Sequence, residues 1–233
     1  MRYNHSVPIP ESTHNLLTKQ SQKTTIRERT MSEDISLFDA MSTQRAIRNF
    51  KPDPVPQEAL NKILEAASKA PSGTNRQMWH FVIVQDAEKR AKLSDIYRRA
   101  GRNALPNLQW LQDANPRILR SATHLIEHMD DAPVLLLACI EHGGETNLTT
   151  GSSIYPAVQN ILLAARGLGL GSVLTTFHKQ YEDEVREIFG IPDNVETAAL
   201  LPIGYPADGV RYGPTRRKPI EEVTHWDVWG GRK

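Results

Sequence analysis

The segment that most constrains the fold is an apolar stretch in the second half of the chain, residues 151–176. Its apolar residues recur at the three- and four-residue spacing of a helix face, at Ile154, Ala157, Val158, Ile161, Leu162, Ala165 and Leu168. Leu163 and Ala164 add apolar surface on the opposite side, and a helix that is apolar nearly all round is buried on most sides. The stretch therefore predicts a central helix around which the other elements pack.

The ends of this helix are also marked in the sequence. Ser152 or Ser153 is predicted to cap its start, which places Pro156 in the first turn or so, where proline is tolerated. Three glycines at 167, 169 and 171 supply the backbone freedom that ends a helix. Their spacing and position do not fit a dinucleotide-binding fingerprint, which needs a strand before the glycines. Residues 172–176 are predicted to form a short buried strand.

Composition narrows the class of protein. The chain has 233 residues and a formal net charge of +1, which gives no support for a nucleic acid or a membrane surface as partner. No stretch is long enough for a transmembrane helix, and the first residues lack the apolar core of a signal peptide. The single cysteine, Cys139, lies in an apolar run and predicts an inert core thiol in a reducing compartment. We expect a cytoplasmic protein.

The order of the elements predicts an α+β fold with about four strands. Residues 1–31 are polar and lack periodicity, so they are predicted to be a flexible extension before one domain over 32–233. A helix is expected to begin at Ser32, and residues 101–120, with Trp110, are predicted to be a surface excursion or a lid. The other expected elements are a helix that follows Pro54 and Pro56 and ends near Ala70, helices over 87–99, 121–129 and 181–189, and strands over 80–85, 134–140 and 196–203.

Two basic segments are candidates for binding an anion. Arg45 and Arg48 lie three residues apart, on one side of a helical turn or a kinked segment, and Arg216, Arg217 and Lys218 follow near the other end of the chain. Guanidinium groups suit phosphate because their fork presents paired donors. Taken alone, each segment is better explained as solvated surface.

Two polar segments are candidates for binding a planar ring. The loop over 71–79 carries Ser72, Asn75 and Gln77, and amide side chains pair with the edge of a heterocycle. Residues 174–176 end a predicted strand, where backbone groups become free for a ligand. The alternative for residues 71–79 is an ordinary polar loop. The alternative for residues 174–176 is that threonine is common in strands without any role in binding.

A zinc site is the main competing interpretation. His124, Glu127 and His128 match the H-x-x-E-H pattern, in which two histidines ligate zinc and the glutamate acts as base. The pattern fixes only three residues, and no distant third ligand is marked.

Together, the segments resemble the FMN-dependent nitroreductase family from about residue 44 to 223. The matching motifs are RAIRNF at 45–50, APSGTNRQMW at 70–79, QNILLAA at 159–165 with GLGLGS at 167–172, GYP at 204–206 and RKPIEEV at 217–223. Ala46 replaces a serine often found there, and Met78 replaces a proline. Thr175 and Thr176 are similar to the dehalogenase-like branch of the superfamily.

The resemblance implies a nitroreductase-like α+β fold, with a mostly antiparallel sheet of four to five strands flanked by helices, in an intertwined homodimer with FMN at the interface. Arg45 and Arg217 would hold the FMN phosphate, with the backbone of Ala46 beside them, and Arg48 would lie toward N1 and the C2 oxygen. The other implied flavin contacts, some of them from the partner chain, are Pro71, Ser72, Asn75, Gln77, Leu174, Thr175 and Thr176.

The activity implied is a ping-pong transfer of hydride from NADPH or NADH, through flavin N5, to a small-molecule acceptor such as a nitroaromatic or a quinone. No side chain is predicted to act as a covalent catalyst, and no metal is required. The alternatives left open are another flavin reaction on the same fold (reductive dehalogenation or flavin cleavage), a non-catalytic flavin-binding module, and the zinc peptidase.

Overall fold

A four-stranded antiparallel sheet lies at the centre of the part of the chain that the structure, a computed structural model, describes: residues 35–144 and 146–233. The strand order is β1-β2-β4-β3, with bounds Trp79–Val84 (β1), Val134–Glu141 (β2), Gly171–Ser172 (β3) and Val195–Gly204 (β4). A bulge interrupts the pairing of β2 with β4 between Ala138 and Cys139. The predicted extension over 1–31 and the predicted helix start at Ser32 lie outside the described residues.

Helices cover both faces of this sheet. The α-helices of the described residues are Leu37–Thr43 (α1), Gln57–Ser68 (α2), Ala87–Ala104 (α3), Leu111–Ala114 (α4), Pro116–His128 (α5), Leu148–Gly167 (α6), Glu182–Phe189 (α7) and Ile220–Val223 (α8). The predicted α+β class with a mostly antiparallel sheet of four to five strands is therefore confirmed. Among the described residues, no helix combines the length and apolar character needed to cross a membrane.

Strand β2 is buried on both faces because each face meets a different group of helices. Leu136 and Ala138 pack in an apolar cluster with α2 and α6, whereas Leu135 and Leu137 pack in a second cluster with α3 and α5. A strand that is covered on both faces has a continuously apolar sequence, as β2 does. Cys139 is buried in the second cluster, and burial raises the pKa of its thiol to about 12, as expected for an inert thiol.

The predicted central helix is present as α6, but the prediction of its start is wrong. The helix begins at Leu148 and is capped by Asn147, whose side chain accepts hydrogen bonds from the backbone N–H groups of Thr149 and Thr150. Neither Ser152 nor Ser153 is the cap, and Pro156 lies well inside the helix. Asn147 satisfies two backbone donors that would otherwise lack a partner, which explains the earlier start.

Two further predictions need correction. The expected strand over 172–176 is only two residues long, Gly171–Ser172, followed by a single bridge between Thr175 and Leu200. Residues 101–120 are mostly helical: α3 continues to Ala104, α4 follows, and α5 is capped by Asn115 and begins at Pro116 rather than at the expected residue 121. Trp110 lies between these helical pieces with its side chain 64% exposed, and its role as part of a lid stays a prediction.

Candidate active site

The segment that carries Arg45 and Arg48 is extended and lies against β3. Ala46 pairs with Ser172 in a parallel bridge, and the N–H of Ile47 donates to the Ser172 carbonyl oxygen at 3.1 Å. The segment is therefore neither a helical turn nor a kink. Ile47 is buried, while Arg45 is exposed beside it. The sheet edge thus fixes where the arginines lie.

A glycine in β3 makes this close approach possible. A Cβ atom added to Gly171 would lie 2.5 Å from Cγ2 of Ile47, inside the closest separation that real Cβ atoms show. We expect Gly171→Ala to lower the free energy of unfolding by about 1–3 kcal/mol, because it overpacks the contact and displaces residues 45–48. Chemical denaturation measures this loss. Gly143→Ala is the matched control, because a Cβ there meets nothing within 4 Å, and equal stability of the two variants would contradict the prediction.

The segment after β4 runs beside residues 43–51 up to Gly213. The N–H of Lys51 donates to the Tyr205 carbonyl oxygen at 2.8 Å, and the N–H of Gly213 donates to the Thr43 carbonyl oxygen at 3.1 Å. Arg217 follows Gly213 by four residues and is exposed. Arg45, Arg48, Thr175 and the segment carrying Arg217 are called the arginine edge below.

Thr175 is held at the arginine edge by three hydrogen bonds. Its backbone exchanges two hydrogen bonds with Leu200, at 3.0 and 2.9 Å, and its hydroxyl lies 2.8 Å from the phenol oxygen of Tyr97. Leu174 and Thr176, on either side, are exposed. The neighbours of Thr175 along the chain thus face solvent, while its own side chain reaches into the fold.

Arg48 is a partly buried charge at the arginine edge. Burial lowers the pKa of its guanidinium, and the charge of Arg45 lowers that pKa further. Its Nη1 lies 3.4 Å from the Ser121 hydroxyl on α5, and no carboxylate in the described part of the chain pairs with it. A partly desolvated cation without a carboxylate favours an anion or an electron-rich group beside it.

The loop over 71–77 has a strained and internally bonded backbone. Thr74, Asn75 and Gln77 all have positive φ angles, 51°, 56° and 53°. The N–H of Gln77 donates to the Ser72 hydroxyl at 3.0 Å, and the Gln77 amide donates to the Asn75 amide oxygen at 3.2 Å. Pro71, Asn75 and Gln77 are exposed. Such strain persists where surrounding contacts impose it, and it is concentrated at functional sites.

This loop and the arginine edge lie at opposite ends of α6. The loop is attached to the N-terminal part of the helix, where the Gly73 N–H donates to the Ser153 hydroxyl at 3.2 Å. The start of the arginine segment is attached to the C-terminal part, where Arg166 donates to the Thr43 hydroxyl at 2.9 Å. Ser153 and Arg166 are about 20 Å apart along the helix axis. Within a single chain, the predicted flavin-binding residues therefore form two separate groups.

The zinc alternative gains no support from the geometry. The imidazoles of His124 and His128 stack with their centroids 4.7 Å apart. The carboxylate of Glu127 is held by Arg102 through hydrogen bonds of 2.9 and 2.6 Å. Within the described ranges, no group of three or more His, Cys, Asp or Glu side chains is placed to hold a metal ion.

Two residues that contact the arginine edge were not found from the sequence. Ser121 and Tyr97 lie on helices α5 and α3, away from every motif. Tyr97 falls on the apolar face of α3 with Leu93 and Ile96, so its spacing indicates core packing alone. Only its contact with Thr175 distinguishes it from the other core residues.

Comparison with known proteins decides the family. A sequence model of the Nitroreductase family matches residues 41–205, a range that contains the 71–77 loop, Thr175 and both Arg45 and Arg48. The chain belongs to the Nitroreductase family. It is thus an oxidoreductase by family, and the resemblance seen in the motifs is confirmed.

Individual relatives of this nitroreductase-family protein differ in their names. An NADH dehydrogenase from Thermus thermophilus is 31% identical over 210 residues, covering 84% of this chain and 100% of that protein. An iodotyrosine deiodinase from Thermotoga neapolitana is 30% identical over 192 residues, covering 80% of this chain and 95% of that protein. A solved structure of oxidised iodotyrosine deiodinase bound to FMN and 3-iodo-L-tyrosine has a TM-score of 0.64 at 28% identity, covering 79% of this chain and 94% of that one.

Proposed function

We propose that the protein is an FMN-dependent oxidoreductase that takes hydride from NADH or NADPH and reduces a small-molecule acceptor. The observation that carries this proposal is Arg48, a partly buried guanidinium without a carboxylate, placed near Thr175 at the arginine edge. Bound FMN would supply the redox chemistry, accepting two electrons and a proton as hydride from the nicotinamide and passing them, with a further proton, to the acceptor.

The residues at the arginine edge fit FMN chemically. Arg45 and Arg217 are exposed, and no carboxylate in the described ranges pairs with either, so both guanidinium forks are available to a phosphate. Arg48 would stabilise negative charge that develops on the ring during reduction. Leu174, Thr175 and Thr176 would contact the ring from the strand side. The backbone N–H of Ala46 supports the phosphate contact in place of the usual serine hydroxyl.

We also propose that the protein acts as a homodimer. A flavin ring is shorter than the separation of about 20 Å along α6 between Ser153, which bonds the 71–77 loop, and Arg166, which bonds the start of the arginine segment. One ring is therefore not expected to reach both groups in a single chain. A second copy would bring its own Pro71, Ser72, Asn75 and Gln77 to the arginine edge of the first.

Exposed apolar side chains support this assembly. Leu37, Phe38 and Met41 on α1 are 59%, 79% and 52% exposed, and Leu148 on α6 is 92% exposed. The three side chains on α1 lie within five residues of one another, whereas Leu148 begins α6 at the end away from Thr43 and Arg166, where α1 contacts that helix. The exposed apolar side chains of α1 mark an interaction surface.

The acceptor is proposed by class. Nitroaromatics and quinones are the first candidates, because the family is named for nitroreduction. Reductive dehalogenation is the second candidate, because a relative that is 30% identical is named iodotyrosine deiodinase and because Thr175 and Thr176 resemble that branch. The reducing compartment indicated by a single buried cysteine makes the cytoplasm the proposed location.

An absorbance spectrum of the purified protein tests the proposal. We expect flavin bands near roughly 370 and 450 nm, which bleach on anaerobic addition of NADH or NADPH. The nucleotide that bleaches them faster is the donor. Adding a nitroaromatic, a quinone or 3-iodotyrosine to the reduced protein should restore the bands, and the fastest acceptor identifies the class.

The outcomes of this test separate the alternatives. Bands that persist after both nucleotides would contradict the donor assignment and favour a flavin-binding module without nicotinamide turnover. Absence of bound flavin after incubation with FMN would overturn the proposed function as a whole.

A further inference from the structure

A buried tyrosine lies directly behind the threonine of the arginine edge. Tyr97 projects from α3, is 3% exposed, and places its phenol oxygen 2.8 Å from Oγ1 of Thr175. Its ring packs against Phe177, with the ring centroids 5.5 Å apart. The α3 helix thus contacts residues 175–177 through one side chain that both packs and hydrogen-bonds.

The backbone of Thr175 leaves only its hydroxyl free to change partner. Its N–H and its carbonyl oxygen are both bonded to Leu200 of β4. The position of the Cα atom is therefore fixed by the sheet, and the direction of the hydroxyl proton depends on the group that faces it. That group is the phenol of Tyr97.

Either oxygen could be the donor in this hydrogen bond, and the positive charge of Arg48 favours one of the two directions. Arg48 lies close enough to Tyr97 for the two groups to interact electrostatically. A guanidinium has donors and no acceptor, so it attracts the lone pairs of the phenol oxygen and directs the phenol proton away. This favours the phenol as donor and the Thr175 hydroxyl as acceptor, which leaves the threonine proton available to a ligand.

Tyr97 stays protonated over the whole working range. Burial raises the pKa of its phenol to about 12, although the Thr175 hydrogen bond and the charge of Arg48 both act in the opposite direction. Tyr97 therefore keeps its proton during turnover and is able to donate it in a hydrogen bond.

We propose that Tyr97 is a positioning residue that holds the Thr175 hydroxyl as a hydrogen-bond donor to the ring of the bound flavin. This proposal rests on the proposed function, because it takes the arginine edge as the FMN site. It adds a residue that contacts no ligand itself and acts through Thr175. Hydrogen bonds in such a chain polarise one another, so a change in Tyr97 is transmitted to the ligand.

The test compares Tyr97→Phe, Thr175→Val and the double variant. For each, the Kd values for oxidised and for reduced FMN are measured, together with the absorbance spectrum of the bound flavin and the midpoint potential. Tyr181→Phe is the matched control. It also removes a phenol that is bonded to α3, because the Tyr181 oxygen accepts a hydrogen bond at 3.0 Å from Asn103 of that helix.

We expect both single variants to change the ratio of the two Kd values by about threefold to tenfold in the same direction, a shift of about 14–30 mV in the midpoint potential of a two-electron couple. The double variant should show no further change, because both substitutions remove one hydrogen-bond chain. Tyr181→Phe should leave the ratio unchanged. A role of Tyr97 in packing alone would lower stability without changing the ratio.

Several outcomes would overturn the proposal. Additive shifts in the double variant, or a wild-type ratio in Tyr97→Phe, would show that Tyr97 does not act through Thr175 while leaving the proposed function intact. Absence of FMN binding in the wild-type protein would overturn both proposals.

Incorporating 3-fluorotyrosine at position 97 covers the case in which Tyr97→Phe does not fold. It keeps the packing and strengthens the donor, so the ratio should shift in the opposite sense to Thr175→Val, and an unchanged ratio would again overturn the proposal.

Discussion

Arg45→Ala and Arg217→Ala should each weaken FMN binding by about tenfold to a hundredfold. Under the proposed assignment, each substitution would remove a charge-assisted contact to the phosphate worth about 1.5–3 kcal/mol, and every 1.4 kcal/mol is a factor of about ten in Kd. Fluorescence titration of the flavin-free protein with FMN measures the change. Because both side chains are exposed, neither substitution should affect folding.

The control for these two variants is Lys89→Ala, which removes one exposed positive charge from the first turn of α3. Its Kd should equal that of the wild type. If purified Arg217→Ala keeps its yellow flavin at full occupancy, the phosphate assignment is wrong. A control variant as weak as Arg45→Ala would instead indicate an effect of net charge alone.

Acidification should destabilise the protein through a buried histidine. His178 is fully buried, and its Nε2 lies 3.2 Å from the Thr197 hydroxyl. Burial, assisted by the charge of Lys179, lowers the pKa of its imidazole to about 4. Lys179 itself is held by Glu182 and Glu196, at 3.1 and 2.5 Å. The site therefore favours the neutral imidazole.

The direction of the effect follows from the two pKa values. The unfolded chain binds the proton near the ordinary value of 6.5 and the folded protein only near 4, so the unfolded state binds more protons between them. The stability from this group is fully present above pH 6.5 and is lost as the pH falls toward 4. From pH 7 to pH 5, we expect a loss of about 2 kcal/mol in the free energy of unfolding.

Urea denaturation of the wild type and of His178→Gln at several pH values measures this contribution. The glutamine keeps a group that can bond Thr197 and removes the titration, so the variant should lose about 2 kcal/mol less than the wild type between pH 7 and pH 5. His80→Gln is the control, because His80 is exposed. Identical pH dependence in wild type and His178→Gln would contradict the assignment.

The long apolar elements were predicted from sequence because their periodicity is set by burial. The β2 strand and the α6 helix are nearly continuous apolar runs, and each is buried where it was expected. Element ends were less accurate. The cap of α6 is Asn147 rather than a serine, and the start of α5 is set by Asn115, because short polar side chains can cap a helix from many positions and only the backbone decides which one does.

The candidate site was only partly accessible from the sequence. The motifs at 45–50, 70–79 and 217–223 contain most of the candidate residues. Only the fold shows that these residues form two groups, one near each end of α6. Tyr97 carries no signal of its own, because a buried tyrosine on an apolar helix face has the spacing of a core residue. Its proximity to Thr175 joins positions 78 residues apart.

The sequence by itself determined the α+β class, the buried central helix and the chemistry of the arginines, because apolar periodicity and side-chain type are local properties of the chain. The tertiary structure decided which of these groups meet. Backbone hydrogen bonds between distant segments place Ala46 beside Ser172 and Gly213 beside Thr43. Such pairings depend on the register and closure of long loops, which no short motif encodes.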